Sequence, residues 1–160
     1  MISLVDIALH DFVTNGVKEV FSTMLSMKIN QLEPPPDVVF TGEKVISSVG
    51  FGGKAQGVVH LYFSKELALL VTTAMLGVKP EELNMDGEVK DVLGEMGNMV
   101  VGGVKSHLCD AGLTCQLTVP SITRGAEFQI DCKDPLIHQR FVFDCLSHRL
   151  LVELRVKPGE

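Results

Sequence analysis

Glu95 and Asn98 stand three residues apart in "DGEVKDVLGEMGNMVVGGVKSHL", residues 86–108. On a helix that spacing sets a carboxylate beside a carboxamide over one turn. The carboxylate can hold a cation. The carboxamide accepts through its oxygen and donates through its nitrogen, so it can orient a water molecule without acid–base chemistry of its own near neutral pH. Together the pair can hold a cation and orient a water.

The element that must carry them is an amphipathic helix. At about 100° per residue, Val89, Leu93, Met96, Val100, Gly103 and Val104 gather on one side, and Asp91, Glu95, Asn98, Gly102 and Lys105 on the other. Asp86 is the expected N-cap. Gly97 and Gly102 each cost a helix about 1 kcal/mol relative to alanine. Their missing side chains suggest room for an approaching surface, which makes Asp91, Gly102 and Lys105 the expected partner-binding face around the pair. A solvated helix would also place acids early and Lys105 late, as the helix dipole favours. Glu81 and Asn84 repeat the same spacing in a turn-like stretch, "PEELN". Spacing alone therefore favours a solvated face over a functional site.

Further elements frame this helix. Residues 11–29 form a first amphipathic helix with Val13, Val17, Val20, Phe21 and Met24 on its apolar stripe. "PPP" at 34–36 breaks it from "VVFTGEKVISSVGF" and "GVVHLYF", a strand pair split by the turn "GGKAQG". Ser64 is the expected N-cap and Gly77 the expected stop of a second helix, "KELALLVTTAML". After the third helix, "LTCQLTVPSI", "AEFQIDC", "QRFVFDCL" and "HRLLVELRV" read as strands. Laying the third helix on the first at an offset of 76 superposes their stripes and sets Glu19 and Ser22 on Glu95 and Asn98. The expected fold is α+β: two pseudo-symmetric halves, each a helix plus strands, with the helices packed on one antiparallel sheet.

Composition bounds the function. A length of 160 residues with 46% hydrophobic content fits a single domain spanning residues 1–160. A net charge of -6 and the lack of a basic cluster argue against nucleic acid. The N-terminus has no basic leader, and the longest apolar stretch is too short to span a bilayer, so a cytoplasmic location without membrane association is expected. Cys109, Cys115, Cys132 and Cys145 show no CxxC pair and read as reduced structural thiols.

Other motifs carry less. "GFGGKA", residues 50–55, has dinucleotide-like glycines but is followed by a strand pattern, so a hairpin turn is expected. The five histidines lack ligand spacing, and His107 is placed near the apolar side of the third helix. "CLSH", 145–148, has zinc-knuckle spacing, but within one strand its ends would point to opposite faces. No GxSxG elbow supports a serine hydrolase.

The longer constellation is more specific. "DVLGEMGNMVVGGVKSHL" resembles the signature helix of the CheC/CheX phosphatase family of bacterial chemotaxis, and the "SSVGFGGKAQGVVHLYFSKELALLVTTAMLG" and "LTVPSITRG" stretches are similar to that family too. The resemblance implies a CheC-like fold and a hydrolase acting on the phosphoaspartate of a CheY-type response regulator, in chemotaxis or two-component signalling. It implies that Glu95 anchors the regulator and Asn98 enters its active site to position water. With Ser22 in place of a second motif asparagine, the chain is most like CheX, whose relatives are typically homodimers joined through the sheet. No cofactor or metal is expected on this chain; Mg²⁺ is expected in the regulator substrate. The competing expectation is a non-catalytic adaptor of the same fold that binds a signalling or flagellar-switch protein. A structural oligomer with a merely solvated helix face ranks last.

Overall fold

A computed structural model describes residues 9–36, 40, 42–125 and 137–159. Among these residues three helices, α1 (Leu9–Leu25), α2 (Lys65–Leu76) and α3 (Glu88–Asp110), pack on one seven-stranded antiparallel sheet. Its strands are β1 (Asn30–Leu32), β2 (Lys44–Gly53), β3 (Ala55–Ser64), β4 (Cys115–Leu117), β5 (Ser121–Gly125), β6 (Ile137–Cys145) and β7 (His148–Pro158). The order across the sheet is β1-β6-β7-β3-β2-β4, with β5 also pairing β2. The expected strand at "AEFQIDC" lies outside the described residues.

The two halves are legible in this order. β3 and β7 meet at the centre, their hairpin partners β2 and β6 flank them, and each half lends a short strand to the other's edge, β1 to β6 and β4 to β2. The helix offset of 76 does not carry over. Leu25 and Asp110, the ends of α1 and α3, are 85 positions apart, and each lies five residues before the next short strand. Glu19 and Ser22 therefore fall in the last two turns of α1, whereas Glu95 and Asn98 lie in the first half of α3. Amphipathic stripes recur every three or four residues, so several offsets align them and the stripe cannot choose.

The helix-covered face of the sheet holds the main core. Val45, Val49, Val59, Leu61 and Phe63 meet Val13, Val17 and Phe21 of α1, Leu67 and Val71 of α2, and Val89, Leu93, Met96, Val100 and Val104 of α3. Removing each such Val, Leu, Met or Phe from water contributes about 1.5–3 kcal/mol before entropy is counted. Met24, expected on the α1 stripe, is instead exposed: the buried side of the helix runs through Val17, Val20, Phe21 and Leu25, which leaves Met24 beside it. Ser26 takes a left-handed conformation (φ 52°) and Met27 N–H returns to the Phe21 carbonyl at 3.0 Å, which closes the helix end.

The caps of α2 form as expected: Ser64 accepts from Leu67 N–H at 3.1 Å, and Gly77 ends the helix at φ 67°. The cap of α3 differs. Asp86 makes no cap contact; Asn84 organises the entry, with its backbone N–H donating to the Glu88 carboxylate at 3.0 Å and its side chain accepting from Asp86 N–H at 2.9 Å. The Asp86 carboxylate instead accepts from Arg124 at 3.3 Å. "GFGGKA" lies on the β2–β3 hairpin, with Gly53 at φ 147°. Cys145 and His148 face each other across a two-residue turn whose Leu146 and Ser147 both have positive φ, rather than lying along one strand.

Candidate functional site

Packing against β2 fixes the orientation of α3. Gly97 turns toward the sheet, not outward: a Cβ there would lie 2.5 Å from Ser47 Oγ and 3.1 Å from Val49 Cγ2. The expectation that Gly97 clears room for a partner is thus corrected; its missing side chain lets the helix settle onto β2. Ser47, buried, donates to the Leu93 carbonyl at 2.9 Å and ties the same turn to the strand. With Val89, Leu93, Met96 and Val100 buried, the opposite side of the helix must face outward, and it carries Glu95 exposed and Asn98 half-buried.

Glu95 and Asn98 line one concavity of about 370 Å³ together with Lys90, Asp91, Gly94, Pro120 and Ile122. Asp91 therefore lines the same hollow as the pair. Gly102 and Lys105 lie further along α3 and do not line this hollow, although Gly102 has open space where a Cβ would stand. Lys90 and Gly94 adjoin the motif in sequence and could have been noticed from helical spacing. Pro120 and Ile122 arrive through pairing of β5 with β2 (Ile122↔Ser47), a long-range contact whose sequence sign is the proline interrupting "LTVPSI".

A larger hollow, about 530 Å³, lies at the end of α1 and is lined by Lys18, Ser22, Ser26, Met27, Lys28, Ile29 and Asn30. It joins Ser22 to two lysines and offers no carboxylate. The chemistry of a carboxylate beside a carboxamide is thus found on α3 and not around Ser22. His107, expected near the apolar side, is exposed and stacks on Phe12, ring centroids 3.7 Å apart. Cys109, Cys115 and Cys145 are free thiols. Among the described residues no three of His, Cys, Asp and Glu converge in a way that could hold a metal ion, and no helix is long and apolar enough to cross a membrane.

The arrangement sets an exposed carboxylate and a half-buried carboxamide at one open hollow. The family model described as "Chemotaxis phosphatase CheX" matches residues 45–145. The "CheY-P phosphatase CheX" of Thermotoga maritima is 30% identical over 86 residues, 54% of this chain and 55% of that protein, so the match spans about half of the relative's length. The crystal structure of chemotaxis protein CheX from Vibrio vulnificus has a TM-score of 0.79 at 25% identity, covering 94% of this chain and 97% of that one. The CheX-CheY-BeF3-Mg²⁺ complex from Borrelia burgdorferi shares the fold, with a TM-score of 0.74 at 21% identity over 94% of this chain and 99% of that one. With most of its length matched by that model and its fold shared with those structures, the chain belongs to the chemotaxis phosphatase CheX family.

Proposed function

We propose that this protein hydrolyses the phosphoaspartate of a CheY-type response regulator. The observation that carries the reading is that Glu95 and Asn98 open into one hollow on a helix face braced from behind by Ser47. The names of the Thermotoga maritima relative and of the Borrelia burgdorferi complex support the substrate class.

An acyl phosphate has a good leaving group, and the regulator's own pocket supplies Mg²⁺ to neutralise the charge that develops on the phosphoryl oxygens. What remains to be supplied is an aligned water. Asn98 supplies it: the carboxamide oxygen accepts from the water and the nitrogen donates to an acceptor, fixing orientation without moving a proton. Glu95 pairs with a cation of the regulator, most simply the lysine that otherwise contacts its phosphoryl group, and sets the docking register. Two copies joined through sheet edges, with a cytoplasmic location, complete the reading; light scattering tests the dimer.

Release of phosphate from a phosphorylated regulator is the deciding measurement. Acceleration by wild type and its loss in Asn98→Ala support the phosphatase; wild-type rates in Asn98→Ala remove Asn98 from the chemistry. Tight binding without acceleration identifies an adaptor.

A further inference from the structure

The hollow beside Glu95 and Asn98 has two unlike walls. One is the polar turn of α3; the other is Pro120 and Ile122. They meet at Gly94, where a Cβ would stand 3.5 Å from Pro120 Cγ and 4.0 Å from Ile122 Cδ1, so the floor between them has no side chain of its own. Next to Pro120, Val119 exposes 86% of its surface. A single exposed valine is ordinary. This one directly precedes Pro120 in the chain, outside the residues that line the hollow.

The corner is also held in place from both sides. Thr118 N–H donates to the Gly50 carbonyl at 2.9 Å, and Gly50 N–H donates to Thr118 Oγ1 at 2.9 Å. Beyond Pro120, β5 resumes pairing with β2 at Ser121↔Ser48. Arg124 then binds Glu43 at 2.8 Å and Asp86 at 3.3 Å, linking β5 to the start of β2 and to the entry of α3. An apolar side chain carried on backbone anchored this way loses little freedom when a partner covers it.

We propose that Val119, Pro120 and Ile122 form an apolar docking wall for the same phosphoaspartate-bearing domain that Asn98 addresses. The inference rests on the phosphatase reading for its occupant. Continuity argues for that occupant: a folded domain that brings an acyl phosphate to Asn98 must enter the hollow, and Pro120 and Ile122 line the same opening. The polar turn then fixes register while the apolar corner supplies desolvated contact, the usual division between the polar and apolar parts of an interface.

The test is titration with a response regulator held in its beryllofluoride-activated, hydrolysis-resistant form. Val119→Asp should weaken binding about tenfold or more, because an apolar contact is lost and a charge must be covered. Leu146→Asp, at a residue 65% exposed on the β6–β7 turn outside the hollow, should bind as wild type does. In phosphate release the Val119→Asp loss should fall on KM rather than kcat. Val119 is exposed, so the change should leave the thermal midpoint where it is, and that measurement checks folding. Wild-type affinity in Val119→Asp overturns the wall. Weakened binding in that variant, with no phosphate release by wild type, supports the wall and removes the phosphatase reading. Failure of wild type to bind the activated regulator overturns both.

Discussion

Ser47 on β2 and Gly97 on α3 are matched at close range: a Cβ on Gly97 would lie 2.5 Å from Ser47 Oγ, the oxygen that donates to Leu93 at 2.9 Å. The glycine brings the helix down, and the hydroxyl then finds its carbonyl. Glu95 and Asn98 owe their outward setting to this contact on the other side of the same two turns.

Gly97→Ala should therefore destabilise the protein by about 1–3 kcal/mol, the usual cost of overpacking, despite the gain in helix propensity. Ser47→Ala removes the oxygen and leaves the Ser47 Cβ at 3.6 Å and Val49 Cγ2 at 3.1 Å as the nearest atoms to the new methyl. The double variant should recover part of the loss, a non-additivity visible in urea unfolding. A Gly97→Ala protein as stable as wild type would show that the helix has slack there.

This contact also shows what sequence reasoning can and cannot recover. The stripe Val89, Leu93, Met96, Val100 was legible because periodicity reports burial directly, and all four are buried. Ser64 and Gly77 were legible because a cap is a local bond. A glycine has no side chain to signal its direction, so Gly97 read equally well as outward. Strand β1, three residues of "NQL", is too short to show a period. Pro120 and Ile122 join the site only through register with β2, information that no local window contains.

Gly94→Ala should separate stability from function. The new methyl meets Pro120 and Ile122 at ordinary contact distance, so the helix gains up to about 1 kcal/mol and the thermal midpoint rises. The same methyl fills the floor of the hollow, so turnover of the phosphorylated regulator should fall. Unchanged turnover would mean that the partner never reaches that floor.

Glu95→Ala and Asn98→Ala should fail differently. Neither side chain is buried, so each change should alter stability by less than about 0.5 kcal/mol. Glu95→Ala should raise KM, with a flatter dependence on salt, because a charge that guides encounter is gone. Asn98→Ala should lower kcat on the order of 10²-fold with KM little changed, as expected when only the reacting geometry is lost. Equal effects of both variants on KM alone would reassign Asn98 to docking.

The sheet face away from the helices should set the acid sensitivity of the fold. Ser48, His60, Glu153 and Arg140 stand in register across four strands. His60 is buried, its Nδ1 lies 2.6 Å from Ser48 Oγ, and its Nε2 has no hydrogen-bond partner, so burial holds its pKa below the ordinary 6.5 despite the nearby Glu153 charge; Arg155 pushes it the same way. Burial alone would raise Glu153, but hydrogen bonds from Tyr62 and His138 and the charge of Arg155 outweigh it and hold its pKa below 4.5. Both groups bind protons more readily unfolded than folded. Their stabilisation is present above the unfolded value and is lost as pH falls through the folded one. The thermal midpoint should therefore decline in two stages, the first beginning below about pH 6.5 from His60 and the second below about pH 4.5 from Glu153. His60→Gln keeps an amide able to bond Ser48 but cannot take up the proton, so it should flatten the first stage and leave the second. Parallel curves for the variant and wild type between pH 7 and 5 would assign the first stage to another group.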